Sequence, residues 1–417
     1  MARDEMMDCD LLVVGGGMVG LTLGLTLAGA GVQVVVVDRQ APGDVQAAPF
    51  DGRSSAIARG SKQALDGAGL WDAMAAHAEP ILDIRVSDGR IGRPASGLFL
   101  HYDTEELDGR PLGYIIENRQ IRRALFGALA AQPTLTHLAP AVVSTLERDG
   151  AWASAVLADG RTIRARLAVA ADGRESTVRA WAGITATRWR YAQHGIVCTI
   201  GHAEPHHGVA HENFLPSGPF AVLPMTDDEE GRHRSSIVWT ERKDLVPVMM
   251  ALDDEAFSNE MQRRFGDSLG ALQVIGRRWS YPLAFLQASR MIAPRLALIG
   301  DAAHAIHPIA GQGLNLGLRD VAALAEVVVD ALRLGLDPGQ IDQLQRYERW
   351  RRLDSLSLAA ATDGLNRLFS NDIGPVRLAR DLGLAAVNRL PPVKRLFMRH
   401  AMGLVGDLPR LVRGQAL

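Results

Sequence analysis

Cysteine is scarce in this sequence, and the two signs of charge nearly cancel. Only Cys9 and Cys198 occur in 417 residues, so a disulfide framework is not indicated and a reducing, cytoplasmic compartment is the default expectation. Lys and Arg number 45 against 47 Asp and Glu, which argues against a general nucleic-acid-binding protein. The sequence has no internal repeat and no low-complexity segment. Its length predicts two or three domains that need neither disulfide nor metal to fold.

One long stretch lacks charge altogether. Residues 11–37 contain 27 consecutive uncharged positions, which is long enough to span a bilayer. Three glycines at 15–17 interrupt the stretch, and acidic residues precede it where a signal peptide would carry positive charge. We therefore interpret it as interior structure, with a strand at 11–14, a glycine turn, a helix at 18–29 and a strand at 32–37. This order is a βαβ unit.

Apolar periodicity and turn residues predict the elements of the remaining chain. An Asp-Gly turn at 159–160 predicts a hairpin between two of the strands. The predicted helices are 54–77, 117–132, one near 254–265, 314–334, and a helical region over 342–417 with breaks at Gly374-Pro375 and Pro391-Pro392. The predicted strands are 141–146, 153–157, 162–170 and 296–299, with strand-like segments over 81–114 and 184–285.

The first motif is Gly15-Gly16-Gly17-Met18-Val19-Gly20, a G-x-G-x-x-G between a strand and a helix. Gly15 allows the tight turn, Gly17 lets the backbone approach a pyrophosphate, and Gly20 lets the helix pack against the strand. Free N–H groups at the helix N-terminus attract the phosphates. Asp38 ends the second strand, where a carboxylate can accept hydrogen bonds from a ribose. A lone glycine triplet can also be a turn without a ligand, and this motif does not choose between NAD and FAD.

Two further segments follow predicted strands. The first, residues 170–179, has the form D-G-x-x-S-x-x-R beginning at Asp172; standing alone, an Asp-Gly at a strand end is usually only a turn. The second, residues 300–315, places Asp301 where it can accept a hydrogen bond from a ribityl hydroxyl. The helix that begins near Gly313 can direct its N-terminal N–H groups at the pyrimidine edge of a flavin. A nicotinamide dinucleotide would not need this third element, so the three segments together favour FAD.

These segments, with Asp51-Gly52-Arg53-Ser54-Ser55-Ala56 between the first two, resemble the class A flavoprotein monooxygenases, the family of para-hydroxybenzoate hydroxylase. The stretch GDAAHAIHPIAGQGLNLGLRD and the tail segments FSND and LAAVNRLPPVKRLFMRHAMG resemble, more narrowly, the ubiquinone-biosynthesis hydroxylases of the UbiH type. The resemblance covers nearly the whole chain in order. It implies an α/β fold: a Rossmann-like FAD-binding domain with an inserted β-sheet substrate domain and a C-terminal helical region.

The resemblance also implies domain bounds and a set of FAD-binding residues. The FAD-binding domain would comprise 1–80, 110–185 and 286–335, the substrate domain 81–109 and 186–285, and the helical region 336–417. Asp38 stands where the family commonly has Glu, and Asp172 matches a residue linked to both FAD and NAD(P)H. The implied cofactor-binding residues are Gly15, Gly17, Gly20, Asp38, Arg39, Arg53, Arg119, Asp172, Asp301, Pro308, Gly311, Gly313, Leu314 and Asn315.

The implied reaction is hydroxylation of the ring of a polyprenylphenol intermediate of ubiquinone, with FAD, dioxygen and NAD(P)H as transient reductant. Water must be kept from the reacting flavin, so the substrate domain has to cover it. A hydroxylase of another phenol and a non-catalytic prenyl carrier of the same fold stay open as alternatives. A flavin halogenase is disfavoured because its Trp-x-Trp-x-Ile-Pro signature is absent, Trp189-Arg190-Tyr191 being the nearest approach.

Histidines and the basic tail each allow two interpretations. His304 and His307 could relay a proton from the phenol, or could hold a loop by hydrogen bonds; a metal site is not expected there, nor at the cluster His202, His206, His207 and His211. From residue 366 onward the sequence contains nine basic and three acidic residues. That tail is either a solvated helical face or a contact with an anionic membrane or with other ubiquinone-biosynthesis proteins. We therefore expect a cytoplasmic protein, or one peripheral at the inner face of the cytoplasmic membrane.

Overall fold

The computed structural model describes residues 6–47, 52–92, 99–371 and 373–417. The predicted Asp51 lies outside the described residues. The strands are β1 Met6–Val14, β2 Val34–Val37, β3 Ser54–Ala58, β4 Glu79–Ile81, β5 Asp83–Asp88, β6 Leu100–Asp103, β7 Gly113–Glu117, β8 Leu135–Leu138, β9 Val143–Arg148, β10 Ala153–Leu157, β11 Thr162–Ala170, β12 Ala186–His202, β13 Val209–Leu215, β14 Gly218–Met225, β15 Arg234–Arg242, β16 Leu272–Ala288, β17 Ile292–Ala293, β18 Leu296–Leu298 and β19 His304–Ala305. The helices are α1 Met18–Gly29, α2 Pro42–Ala47, α3 Arg59–Gly67, α4 Asp72–Ala75, α5 Asn118–Ala128, α6 Thr177–Trp181, α7 Val246–Ala251, α8 Asp254–Phe265, α9 Gln312–Arg333, α10 Ile341–Phe369, α11 Gly374–Arg389 and α12 Pro391–Ala401.

The uncharged run folds as the predicted βαβ unit. β1 and β2 are parallel neighbours whose last four residues are paired in register. Helix α1 is apolar on every side, and most of it is buried between the sheet and α9 and α5, so it needs no polar face. None of the helices in the described ranges is long and apolar enough to cross a membrane. The run is therefore the interior of a domain.

The first sheet brings the three sequence motifs to one edge. Its strands follow the order β17-β18-β11-β1-β2-β8, with the β9–β10 hairpin attached beside β11. β18, β11, β1, β2 and β8 run parallel, so their carboxyl ends lie at the same edge. The predicted Asp-Gly turn joins β10 to β11, and Gly160 has a positive φ of 92°. β8 was not predicted from the sequence.

The second sheet has the order β19-β16-β12-β15-β14-β13-β5-β6. One face packs on α8, with Phe220, Trp239 and Phe257 in a core between them. The other face, which includes Ala221, Val238 and Leu283, borders a large cavity. Strands from 83–103 and from 186–288 therefore belong to one sheet, and β19 joins it from beyond residue 286.

The predicted helix at 54–77 is wrong in its first part. Residues Ser54–Ala58 form β3, which pairs antiparallel with β7 in a three-stranded sheet, and only then do α3 and α4 follow. The local sequence is compatible with either structure, and the backbone pairing with β7 decides the outcome. The predicted helix at 117–132 also begins one residue later, because Glu117 still belongs to β7.

Three helices close the chain, as predicted. α10 has 29 residues and packs along α9. Both predicted breaks hold: α11 and α12 begin at Gly374-Pro375 and Pro391-Pro392. Proline is tolerated in the first turn because the N–H it lacks there has no partner within the helix. The prolines at these two sites therefore mark helix starts as well as breaks.

Candidate cofactor and substrate site

The glycine loop after β1 has the conformation that a dinucleotide-binding loop requires. Gly15 has a φ of 108°, and a Cβ there would meet the carbonyl oxygen of Ala171 at 2.4 Å. A Cβ on Gly20 would meet the carbonyl oxygen of Gly15 at 1.9 Å. At Gly17, by contrast, no described atom lies within 4 Å of a Cβ. The loop is therefore tight against the protein at two glycines and open at the third, where α1 begins.

Asp38 holds this loop in place. Its carboxylate accepts hydrogen bonds from the backbone N–H groups of Gly16 and, at 2.7 Å, of Gln40. Asp38 is only partly buried, and Arg39 beside it is exposed. The predicted contact of Asp38 with a ribose stays a prediction, but its support of the glycine loop is a second role that sequence reasoning did not assign.

The side chains of the D-G-x-x-S-x-x-R motif form hydrogen bonds within the motif and to the third segment. Asp172 accepts from the hydroxyl of Ser176 at 2.5 Å and from the N–H of Thr177 at 2.8 Å. Arg179 is buried and donates to the carbonyl oxygens of Arg174 and Ala302, each at 2.8 Å. The motif thus caps α6 and joins the second segment to the third. Its arginine, which received no role in the sequence analysis, forms that connection.

The third segment is anchored to β3. Asn315 is almost fully buried; its amide donates to the carbonyl oxygen of Ala56 at 2.7 Å and its Oδ1 accepts from the N–H of Ala58 at 2.8 Å. Gly311 precedes α9 with a φ of 62°, and a Cβ there would lie 2.8 Å from that of Ala56. At Gly313 no described atom lies within 4 Å of a Cβ. The N-terminus of α9 is consequently held firmly, with open space beside it.

His304 belongs to a buried ionic network. Its Nε2 lies 2.7 Å from Oδ2 of Asp320, which also accepts from the N–H of Gly300 at 2.9 Å, while Arg351 donates to Oδ1 at 2.7 Å. Burial alone would raise the pKa of Asp320, but His304 and Arg351 hold that pKa below its ordinary value. His304 is therefore hydrogen-bonded within this network.

His307 is fully buried. Its ring packs edge-to-face against the ring of Tyr191, with 5.2 Å between the ring centroids. Neither ring nitrogen has a hydrogen-bond partner within the described residues. Burial lowers the pKa of His307 to about 4, so the imidazole is neutral near pH 7. His304 and His307 are both absent from the described lining of the cavity, although Pro308 belongs to it. A proton relay through either histidine is still a prediction.

The predicted arginines occupy different positions. Arg53 is exposed at the cavity, as is Arg174, whose Nε donates to Asp301 at 2.9 Å. Both arginines act on Tyr281 across the cavity: burial raises the pKa of Tyr281, and the two positive charges oppose that rise. Arg119 forms an ion pair with Glu117 and is not part of the described cavity lining.

One cavity of about 1300 Å³ connects these parts. One end, which we call the FAD end, is lined by Gly17, by β3 and by the start of α9 at Gly313. The middle is lined by the open face of the second sheet, and the far end by α10, α11 and α12. Ordinary ligand pockets measure roughly 300–1,000 Å³. The cavity therefore has room for more than one ligand of that kind.

The residues at the FAD end fit a dinucleotide with a flavin ring. Two helix N-termini, those of α1 and α9, lie at this end, and such termini bind phosphate and other electron-rich groups through free N–H groups. The space at Gly17 and Gly313 is the space that a ligand approaching the backbone needs. Bound FAD would supply the redox chemistry and the activation of dioxygen.

Comparison with known proteins identifies the family. A family of FAD-binding domains matches residues 8–355. The chain is 54% identical over 411 residues to the ubiquinone hydroxylase UbiL of Rhodospirillum rubrum, covering 98% of this chain and 93% of that protein. It belongs to the FAD-dependent ubiquinone hydroxylase family. A further relative, the 3-demethoxyubiquinol 3-hydroxylase of Escherichia coli, is 34% identical, and the match covers 95% of this chain and 98% of that protein.

The fold of this hydroxylase family is confirmed by solved structures. The p-nitrophenol 4-monooxygenase PnpA from Pseudomonas putida superimposes with a TM-score of 0.79 at 22% identity, covering 97% of this chain and 99% of that one. The predicted fold class, the family and FAD as its cofactor are confirmed. The domain bounds and the individual FAD contacts stay predictions.

Sequence reasoning missed one charged side chain of the hydroxylase cavity. Glu212, on β13, lies on the cavity face of the second sheet between Ala210 and Phe214. An acidic residue at an inward position of an alternating strand is the only sequence signal for it. Of the four clustered histidines, His202 and His211 lie on β12 and β13, and the other two lie in the loop between these strands. Nε2 of His202 lies 2.9 Å from the hydroxyl of Ser235. No group of three or more metal-ligating side chains occurs in the described ranges.

Proposed function

We propose that this protein hydroxylates the aromatic ring of a polyprenylphenol intermediate of ubiquinone, using FAD, dioxygen and NAD(P)H. The observation that carries the proposal is the family relationship over almost the full chain, at 54% identity to a ubiquinone hydroxylase. The cavity supports it independently, because a single space reaches from the FAD end to an apolar far end.

The roles of the site residues follow from their positions. With FAD bound, the N–H groups around Gly17 would hold the pyrophosphate, and the N-terminus of α9 at Gly313 would hold the pyrimidine edge of the flavin. Asn315 and Asp320 hold α9 and Gly300 in position through the contacts described above, and the predicted contact of Asn315 with FAD stays a prediction. The second sheet covers the ring and excludes water from the reaction.

The far end of the cavity fits a prenyl chain. Its lining includes Leu365, Phe369, Leu384, Val387 and Leu396, from all three C-terminal helices. An isoprenoid chain has no polar group to hydrogen-bond, so its binding energy comes from burial of apolar area, about 25 cal/mol per Å². A small polar phenol would gain nothing from this region. The apolar extension therefore favours a prenylated substrate over a simple phenol.

Deletion of the gene in its host tests the pathway. The expected result is loss of ubiquinone and accumulation of a precursor that lacks one ring hydroxyl, restored by the intact gene. A variant that cannot bind FAD should fail to restore it. If the flavin-free variant restores ubiquinone, the protein is a prenyl carrier without catalysis. An unchanged quinone pool in a host without a duplicate enzyme would refute the pathway assignment.

We also propose that the face of α12 contacts an anionic membrane. Leu396 and Phe397 are 56% and 48% exposed, and Arg395 and Arg399 lie exposed among them. Apolar side chains with basic neighbours on a surface helix are typical of a segment that lies in the membrane interface. Leu396 and Phe397 also line the cavity. A substrate with its chain in the bilayer would then meet the entrance at the membrane surface.

The charge available for this contact is smaller than the sequence count indicates. Arg380 is buried in an ion pair with Asp88 at 2.7 Å, Lys394 pairs with Glu106, and Arg410 lies between Glu326 and Asp330. These cations stabilise the fold. Removing the whole tail would expose the cavity and take away the Arg380–Asp88 ion pair, so substitution of exposed residues is the better test.

Charge reversal on α12 should weaken membrane binding. Each basic residue near an anionic surface contributes about 1 kcal/mol, so the double variant Arg395→Glu with Arg399→Glu should bind vesicles containing phosphatidylserine at least about ten-fold more weakly in flotation. The matched control reverses Arg123 and Arg349, which are exposed on α5 and α10. Equal flotation of the α12 variant and the wild type would overturn the proposal.

A further inference from the structure

Glu212 places a carboxylate on the cavity face of the second sheet. Within that face its neighbours across the strands are Val86 on β5 and Ala221 on β14, and its neighbours along β13 are Ala210 and Phe214. All four are apolar and border the same cavity. The Glu212 carboxylate has no side-chain hydrogen bond or ion pair within the described residues, and burial is what acts on it. Keeping a carboxylate charged in such apolar surroundings costs free energy. Its presence at this position therefore indicates a function that needs a carboxylate.

The electrostatic surroundings of Glu212 contain no compensating charge. On the adjacent β5, Asp88 is neutralised by Arg380 from α11. On β6, burial raises the pKa of Tyr102 to about 12, so its phenol stays neutral. The neighbouring His211 has its pKa lowered to about 4 by burial and is also neutral near pH 7.

The remaining charged or titratable side chains of the cavity belong to other elements. Arg53, Arg174 and Asp301 lie at the FAD end, Tyr281 on β16, and His400 on α12. Burial, and no neighbouring charge, accordingly raises the pKa of Glu212 to about 7. A general base is most effective when its pKa is near the working pH.

We propose that Glu212 is the catalytic base of this enzyme, accepting the hydroxyl proton of a phenol bound in the cavity. The inference rests on the proposed function. In this step the phenol O–H bond breaks, a carboxyl O–H bond forms, and the ring gains the electron density that favours attack by an electrophilic oxygen. NAD(P)H supplies the electrons and dioxygen the inserted atom. When the hydroxyl has joined the ring carbon, the hydrogen of that carbon moves as a proton to the ring oxygen, and Glu212 releases its proton to water.

The first test is the variant Glu212→Gln in the FAD-loaded protein, with ortho-geranylphenol as probe. Loss of a general base lowers a rate by roughly 10²–10⁴-fold. Hydroxylation by the wild type should rise with pH through about 7, because the base must be ionised. The rate of the variant should be flat over that range. Glu212→Asp should restore part of the rate, and Glu147→Gln, an exposed change on β9, should have none of these effects.

The second test measures binding and does not depend on turnover. The affinity of the oxidised FAD-loaded protein for ortho-geranylphenol, followed by the flavin spectrum, should rise as pH passes about 7, because the ionised carboxylate accepts a hydrogen bond from the phenol. Above that pH the Gln variant should bind about ten-fold more weakly. The methyl ether of the same probe has no proton to donate, so it should bind both proteins alike.

The two tests separate the possible failures. If the wild type shows this pH-dependent binding but forms no hydroxylated product, the proposed function fails while the placement of Glu212 against the phenol stands. If product forms and the Gln variant keeps the wild-type rate and pH profile, the role of Glu212 is refuted. Equal weakening of phenol and ether binding would likewise show that Glu212 only shapes the cavity.

The thermal stability of Glu212→Gln shows whether a loss of activity comes from unfolding. Because the pKa of Glu212 is raised on folding, the folded protein holds this proton more tightly than the unfolded chain, and stability falls as pH rises between the two pKa values. Removing the charge should therefore leave the thermal midpoint of Glu212→Gln at pH 8 equal to or above that of the wild type. An inactive variant with a lower midpoint would contradict the account of Glu212 as a costly buried carboxylate.

Discussion

Replacement of Gly17 by valine should give a folded protein that has lost its flavin. The backbone of Gly17 has a φ of −69°, which any residue can adopt, and no described atom lies within 4 Å of a Cβ there. We therefore expect the variant to fold. The valine would instead fill the space that the pyrophosphate needs. Each hydrogen bond lost to a charged group costs about 1.5–3 kcal/mol, or at least about ten-fold in affinity.

The measurement is FAD content by absorbance, together with thermal unfolding of the protein stripped of flavin. The matched variant is Gly20→Ala in the same motif. Its Cβ would lie 1.9 Å from the carbonyl oxygen of Gly15, so we expect overpacking to destabilise the fold by about 3 kcal/mol. If Gly17→Val keeps the wild-type FAD content, the pyrophosphate does not bind at this helix N-terminus.

Replacement of Asp320 by alanine should be the most damaging change to stability. It removes the partner of Arg351 at 2.7 Å, of His304 at 2.7 Å and of the Gly300 N–H at 2.9 Å, all within the protein interior. Breaking a buried ion pair from one side costs about 3–5 kcal/mol because the other charge stays buried. Urea unfolding followed by circular dichroism measures this cost. Flavin affinity should fall as well, since Gly300 loses its support.

The pH dependence of the same network has a definite sign. His304 and Arg351 lower the pKa of Asp320 in the folded state. The stabilisation is therefore present above the unfolded value of about 3.9 and is lost as pH falls through the lower folded value. The free energies of unfolding of the variant and the wild type should converge below about pH 4.

As a control, Asp66→Asn breaks an exposed pair with Lys62 and should cost about 0.5 kcal/mol or less. A cost as small for Asp320→Ala would contradict the network.

Sequence alone predicts the FAD end of the molecule because local rules determine it. The glycine spacing requires a turn, a close helix and an open position, and Gly15, Gly20 and Gly17 have these properties in that order. Parallel strands then bring the ends of β1, β11 and β18 to one edge. Gly374-Pro375 and Pro391-Pro392 predict the breaks between α10, α11 and α12 for the same local reason.

Elsewhere the sequence does not determine the structure locally, because distant partners decide the role of a side chain. Residues 54–58 become a strand through pairing with β7, which begins 55 residues later, at Gly113. Arg179 donates to the carbonyl oxygen of Ala302, which lies 123 residues later in the chain. From the sequence His304 is a candidate for proton relay. In the structure its hydrogen-bond partner is Asp320, 16 residues later on α9. Glu212 has no motif, since its significance comes from the apolar residues that two other strands place around it.

The central claim is that one cavity holds FAD and a prenylated phenol together, so that oxygen passes directly from one to the other. The most direct measurement supplies the FAD-loaded protein with ortho-geranylphenol, NAD(P)H and isotopically labelled dioxygen, and analyses the product by mass spectrometry. The account predicts a ring-hydroxylated product that carries one labelled oxygen atom for each NAD(P)H consumed. Oxidation of NAD(P)H that yields only hydrogen peroxide, with the prenylphenol recovered unchanged, would contradict it.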